Sequence, residues 1–282
     1  MCTGARPPSI VGMDTYVLPR SEQEYERLRA QARVWEAATG RLLDRVGLAP
    51  GARCLDVGAG PGETMRLMAQ RVGPTGGVLG LDINAELATV AERKLEEAGH
   101  RHCALLQHDA TADEPIPGGP YDLVFARILL FHLPQRVAVL ARLWDAVAPG
   151  GHLVIQDYEL RCIDVLPALA SVAEIVRVML AAFGAAGCDV SAGARLPYLF
   201  AEAGVGTPDG TDVAGRLDTL AGGRPVLEQT YRGILPAALG HGITTQAAAD
   251  ALLEEFDGDV ARFAERPLLW PLLIGAWRRK EL

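Results

Sequence analysis

Ten consecutive residues, Leu55-Asp56-Val57-Gly58-Ala59-Gly60-Pro61-Gly62-Glu63-Thr64, hold the densest chemical signal in the chain. An apolar run ends in a carboxylate, glycines follow at alternate positions, and a helical pattern opens at once, from Thr64 towards Val72. Glycine reaches positive φ without steric cost and lets a ligand lie directly on main-chain N–H groups. A second apolar run, Gly77-Val78-Leu79-Gly80-Leu81, ends in Asp82, about 20 residues further on, where an acid on the neighbouring strand tip accepts the hydroxyl hydrogens of a ribose. A flexible strand tip beside an anionic one points to an adenosine-containing cofactor.

The glycine spacing narrows the choice. A dinucleotide site requires G-x-G-x-x-G, and counting from Gly58 the third glycine position is Glu63. A carboxylate at a helix N-terminus repels the pyrophosphate that such an end otherwise attracts. The run instead resembles motif I of the class I S-adenosylmethionine methyltransferases, acid-x-G-x-G-x-G. The resemblance implies a loop lying under the amino-acid end of a cofactor without phosphate. It assigns cofactor contacts to Asp56, Gly58, Ala59, Gly60, Asp82 and Ile83. It also implies that Asp109 receives the adenine amino group, with the Ala110 N–H on a ring nitrogen. Arg127, at the end of the fourth strand, faces the site, Gln31 is placed to reach the amino-acid end, and both are assigned to the cofactor.

Two further segments resemble the same family. Phe131-His132-Leu133-Pro134 matches the turn after the fourth strand in small-molecule methyltransferases, and Pro149-Gly150-Gly151 matches the turn into the fifth. Methylation of a hydroxyl needs a base, and His132 is the candidate because an imidazole titrates near neutrality. Asp157, from the end of the adjacent strand, is the candidate to orient or charge-stabilise that ring, with Tyr158 a pocket wall. No H-x-x-x-H or H-E-x-x-H spacing exists, so no metal site is expected.

The elements that must position these groups alternate along the chain. Strands are expected at Arg53 to Val57, Val78 to Leu81, Leu105 to His108, Tyr121 to Phe125 and His152 to Gln156. Helices are expected at Glu63 to Val72, Ala85 to Ala98 and Val137 to Val147. Ahead of them, Ser21 and Glu24 form a capping box opening a helix to about Gly40, and Leu42 to Val46 starts another. Beyond residue 160 the pattern predicts helices at Leu166 to Gly187, Ala194 to Gly204, Pro225 to Leu239 and Thr244 to Phe256. Strands six and seven are expected at Asp212 to Leu220 and Leu268 to Arg278.

The fold class is α/β, a Rossmann-like mostly parallel sheet with helices on both faces and an added helical cap. The resemblance implies seven strands ordered 3-2-1-4-5-7-6, the last antiparallel. One methyltransferase domain is expected over 1–282, with helices over the cofactor mouth at 1–48, a cofactor-binding core at 50–160, and cap segments at 163–188 and 225–262.

Composition sets the class of partner. The chain has 282 residues and a net charge of −8 with a pI near 5.3, which disfavours a nucleic-acid backbone as substrate. Five scattered cysteines without C-x-x-C support neither a disulfide framework nor a zinc cluster and fit a reducing cytoplasm. The leader lacks a signal-peptide layout, and no apolar run reaches membrane-spanning length. The expectation is a cytoplasmic enzyme that methylates a small, partly apolar metabolite and releases S-adenosylhomocysteine, oxygen being favoured over nitrogen or carbon. A regulator that only binds the cofactor, and a protein or nucleic-acid methyltransferase, stay open as alternatives, as does the monomeric or dimeric state.

Overall fold

The structure is a computed structural model that describes Tyr25, Leu28, Arg29 and residues 32–282. Ser21, Glu24 and Gln31 lie outside the described residues. The chain forms β1 (Arg53–Val57), α2 (Glu63–Val72), β2 (Gly77–Asp82), α3 (Ala85–Glu97), β3 (Cys103–Gln107), β4 (Tyr121–Arg127), α4 (Arg136–Asp145) and β5 (Val147–Glu159), preceded by α1 (Glu36–Arg45). There follow β6 (Asp164–Val165), α5 (Ala170–Ala185), α6 (Leu196–Glu202), β7 (Gly210–Ala214), β8 (Leu217–Thr219), α7 (Leu220–Gly240), α8 (Gln246–Phe263), β9 (Pro267–Leu269) and β10 (Leu272–Arg279).

The main sheet runs β3-β2-β1-β4-β5-β10-β7, the expected order, with β10 antiparallel to both of its neighbours. β1 lies between β2 and β4 in parallel register, Asp56 opposite Gly80 on one side and Phe125 on the other. The tips of β1, β2 and β4 therefore end together, which gathers Gly58, Asp82 and Arg127 at one edge. Each face of the sheet carries an apolar layer. Leu43, Met65, Met68 and Ala91 pack on one side, and Leu140, Leu143, Leu196 and Phe200 on the other. Gly80 is where α2 approaches the sheet: a Cβ there would stand 2.5 Å from Met65 Sδ.

Several boundaries differ from expectation. The first helix does not continue to Gly40; the chain turns at Val34 and Trp35, and α1 runs from Glu36 through the segment expected to be separate at Leu42. The turn delivers Trp35, 4% exposed, against β5, a burial that outweighs helical propensity. β5 extends to Glu159, so Asp157 and Tyr158 lie within the strand. α7 begins at Leu220, where the Thr219 side chain accepts from Gly222 N, and carries Pro225 inside rather than at its start. α8 is capped by Thr245 and continues past Phe256 to Phe263.

The two last predicted strands are each broken in two. β7 passes into β8 at Gly215-Arg216, and β9 into β10 at Trp270-Pro271. The detached pieces join β6 in a three-stranded antiparallel sheet, β6-β9-β8. This small sheet closes one end of a second apolar core, in which Ile175, Leu227, Tyr231, Phe256 and Leu268 of α5, α7, α8 and β9 are buried together. No helix among the described residues is long and apolar enough to cross a membrane.

Candidate active site

The glycine turn is built by main-chain bonds onto β2. Gly58 N and Ala59 N both donate to Leu81 O, at 2.8 and 3.0 Å, and Gly60 N donates to Asp82 Oδ2 at 2.8 Å. Gly58, Gly60 and Gly62 take φ of 73°, 51° and 77°, the left-handed region that a side chain disfavours. A Cβ on Gly60 would meet nothing within 4 Å, so the outer side of the turn is open, whereas one on Gly58 would touch Leu129 at 3.2 Å. Asp82 Oδ1 accepts from Asn84 N at 2.9 Å, and Asn84 in turn caps α3 through Leu87 N.

Beneath the turn, Asp56 is 2% exposed and its Oδ2 has no hydrogen-bond partner among the described residues. Burial pushes its carboxyl up to about 7, opposed by the charge of Arg127 and assisted by that of Asp82. A buried acceptor without a donor is costly. This oxygen is therefore a place where a donor or cation belongs.

At the far end of the edge, Ile83 is 50% exposed and its carbonyl accepts from Gln107 Nε2. Asp109 is exposed and folds back on Thr111, whose N and Oγ1 both donate to Asp109 Oδ1 at 2.8 and 2.7 Å. The Ala110 carbonyl accepts from Arg142 Nη2 at 2.6 Å. The expected adenine-side residues thus line one edge beside Asp82. His108, expected to lie within strand three, stands just past β3, its N–H on Asp82 O and its Nε2 buried without a partner.

Arg127 occupies the β4 tip. Its Nη1 donates to Ala32 O at 3.3 Å and to Thr39 Oγ1 at 3.1 Å, and Thr39 Oγ1 donates to the buried Gln156 Oε1 at 2.7 Å. This chain binds the N-terminal segment to the tips of β4 and β5. Ile128, the next residue, has φ 55°, a strained conformation for a β-branched side chain, and is held by its N–H on Gln156 O at 2.8 Å. On β5, Tyr158 is half-buried, and its hydroxyl oxygen accepts from Trp35 Nε1 at 2.8 Å. Thr39, Gln156 and Trp35 carry no motif, and only their burial beside the strand tips identifies them.

His132 and Asp157 are brought to the same turn but not to each other. Leu130–His132 is a single 3₁₀ turn after β4. The Asp157 carboxylate accepts from Phe131 N and Tyr158 N, both at 2.9 Å, so it braces the turn's backbone. No hydrogen bond joins it to the His132 imidazole among the described residues, and the expected direct orientation of that ring is not seen. Burial pushes Asp157 up to about 7, opposed by its backbone N–H donors. His132 keeps an accessible face, yet the protein crowded around the ring pushes its pKa down to about 4. It is a neutral and weak base, packed edge-on against Phe131 with ring centroids 4.7 Å apart.

No group of three or more His, Cys, Asp or Glu suited to a metal ion occurs among the described residues. A family profile described as "Methyltransferase domain" matches residues 54–151, the stretch that builds this edge. Residues 54–151 are thus similar to a methyltransferase domain. The chain is 39% identical over 115 residues to a trans-aconitate 2-methyltransferase of Methylobacterium nodulans, covering 41% of this chain and 42% of that one. It is 31% identical over 139 residues to an aklanonic acid methyltransferase of a Streptomyces species, covering 49% and 62%. The chain thus spans about half the length of the curated relatives it matches. A methyltransferase-like structure from Bacillus halodurans superposes with a TM-score of 0.59 over 87% of this chain and 100% of that one, at 15% identity, which shows a shared fold.

The cofactor of this methyltransferase class is S-adenosylmethionine, and the residues present fit it. Among the described residues Asp56 Oδ2 lacks a donor and the outer side of Gly60 is open, and Asp82 uses its oxygens on two N–H groups while a carboxylate has room for about four.

Proposed function

We propose that this protein transfers the methyl group of S-adenosylmethionine to a small, partly apolar acceptor, with oxygen the favoured acceptor atom. The cofactor supplies a methyl already activated on a sulfonium, so the protein's part is to hold acceptor and methyl in line and exclude water. Positioning of this kind is worth roughly 7–11 kcal/mol of barrier. In this reading Asp82 receives the ribose hydroxyls, with Ile83, Asp109 and Ala110 along the adenine. Gly58, Ala59 and Gly60 carry the amino-acid end, and Asp56 meets its ammonium.

The observation that carries the reading is the junction of Gly60 N with Asp82 Oδ2 on the edge where Asp56 Oδ2 is buried without a partner among the described residues. The segment around Ala32 and Thr39 covers the cofactor mouth, and α5, α7 and α8 form a cap over the acceptor. Phe131 of the site turn meets Phe183 of α5, ring centroids 5.2 Å apart, which gives the acceptor side an apolar wall. The relatives' names, an aconitate and an aklanonic acid, support a small-molecule acceptor. The net charge of −8 disfavours a nucleic-acid substrate.

Calorimetry with S-adenosylhomocysteine, followed by an acceptor screen with methyl-labelled cofactor, tests the proposal. Micromolar binding and label transfer to a small molecule are expected. Failure to bind S-adenosylhomocysteine, or tighter binding of a dinucleotide, would overturn it.

A further inference from the structure

The tips of β4 and β5 carry a cation and a hydroxyl donor that the described residues leave unspent. Arg127 is half-buried at the β4 tip, forms no ion pair among the described residues, and bonds only to the neutral oxygens of Ala32 and Thr39 through Nη1. Asp56, Glu63 and Glu36 act on it through space without ion-pairing to it. On the adjacent strand, Tyr158 receives the Trp35 N–H on its oxygen, and its own O–H is donated to no group among the described residues. Arg127 and Tyr158 influence each other through space from adjacent strands, Arg127 lying opposite Gln156, two residues before Tyr158. Tyr158 packs with apolar groups, among them Ile128, Phe131 and Leu160. A guanidinium and a phenol O–H at adjacent strand tips match a carboxylate.

From this arrangement, which presumes the methyltransferase reading above, we propose that the acceptor is an apolar carboxylic acid held by Arg127 and Tyr158, and that the product is its methyl ester. One carboxylate oxygen forms the new O–CH₃ bond as the methyl–sulfur bond breaks and its electron pair stays on sulfur. The anion and the sulfonium are consumed together, giving a neutral ester and a thioether with no proton released. Such an acceptor is already ionised at neutral pH and needs no general base. That accounts for a site whose one imidazole, His132, is pushed down to about 4. The nearest acid on the same strand, Asp157, has both oxygens on backbone N–H groups and is pushed up towards neutrality by burial, which limits its repulsion of an anion.

The test compares phenylacetate and decanoate with phenylacetamide and decanamide, titrated into protein saturated with S-adenosylhomocysteine. The acids are expected to bind at least tenfold more tightly than the amides. Arg127→Gln and Tyr158→Phe are expected to reduce that ratio towards one, each variant being kept saturated with S-adenosylhomocysteine. With labelled cofactor, acids that react should yield label that mild alkali releases as volatile methanol, the signature of an ester.

Equal binding of acids and amides by the unaltered protein would overturn the proposal, as would a ratio that survives both substitutions. A collapse of S-adenosylhomocysteine affinity with the acid preference intact would assign the pair to the cofactor's own carboxylate, and overturn it too. Alkali-stable label on an alcohol or amine would overturn the ester while leaving methyl transfer standing. Protein that binds no S-adenosylhomocysteine at all would fail at the methyltransferase reading instead.

Discussion

Gly60 donates its amide to Oδ2 of Asp82 at 2.8 Å, so the glycine turn and the tip of the second strand are one rigid edge rather than two loops that meet on a ligand. Asp82 thereby braces the turn, and in the proposed reading it also presents its remaining lone pairs to a ribose. Asp82→Ala removes both, and a charged hydrogen bond of this kind is worth about 1.5–3 kcal/mol. S-adenosylhomocysteine affinity is expected to fall roughly 10- to 150-fold by calorimetry. Unchanged affinity would remove Asp82 from the ribose site.

Asp56 is expected to trade stability for binding. Its carboxyl is raised by burial, against the charge of Arg127, to about 7 in the folded protein, compared with about 3.9 in an unfolded chain. A folded-state pKa above the unfolded one means stability is highest below about pH 3.9 and is lost as pH rises through about 7. Asp56→Asn removes that ionisation, so at pH 8 the variant should be more stable than the unaltered protein by on the order of 3 kcal/mol. Part of the slope persists because Asp157 is displaced the same way. Denaturant melts at pH 5 and pH 8, beside cofactor titrations, give the check. A variant less stable at pH 8 would show that Asp56 has a donor.

The core was legible in the sequence because its signals are local. The Gly58–Gly62 turn, the Asn84 cap and the apolar runs of β1 and β2 each determine their own geometry, and α2 lies at Glu63–Val72 as its pattern requires. Features settled by distant contacts were not legible. The turn at Trp35 depends on Tyr158, 123 positions away. Pro225 reads as a helix start, yet the Thr219 cap sets that start five residues earlier. His132 and Asp157 were placed on adjoining tips, but whether a carboxylate takes an imidazole or a backbone N–H depends on a turn geometry no spacing encodes. Arg127 was visible as a residue at the edge; its bonds to Ala32 and Thr39 were not.

Two glycine substitutions should separate ligand space from packing space. At Gly60 an added methyl meets no protein atom within 4 Å but demands a side chain at φ 51°. Gly60→Ala is expected to cost about 1–2 kcal/mol of stability through the backbone, and proportionally more in cofactor affinity, because the proposed reading puts the cofactor in that open space. At Gly80 the methyl would stand 2.5 Å from Met65 Sδ and 3.0 Å from the Ala59 Cβ. Gly80→Ala should therefore lower stability by roughly 1–3 kcal/mol through overpacking. Thermal melts with and without S-adenosylhomocysteine distinguish the two, since ligand should rescue the Gly80 variant more than the Gly60 one. Equal rescue would argue that no ligand uses the space over Gly60.

Glu63, the residue that excludes a dinucleotide pattern, binds the N-terminal segment to the cofactor loop. It is 5% exposed and accepts from Arg29 Nε at 2.6 Å, Arg66 Nε at 2.9 Å and Arg33 Nε at 3.4 Å, while Arg66 also pairs with Glu36 at 2.7 Å. Burial pushes its carboxyl up, but the hydrogen bonds from Arg66 and Arg29 and the charges of Arg66 and Arg33 outweigh it and hold the group below the usual glutamate range. A depressed folded-state pKa gives stability that is full above the unfolded value of about 4.3 and lost as pH falls through the folded value. Backbone protection of the Ala32–Trp35 segment in hydrogen exchange should therefore fall as pH drops below about 4.3. Glu63→Gln should weaken that protection at neutral pH by roughly 2 kcal/mol and remove its acid dependence. The same variant should release S-adenosylhomocysteine faster, because the covering segment is held at Glu63 as well as at Arg127. If exchange in the segment is identical in both proteins across the acid range, the arginines screen one another and Glu63 holds nothing in place.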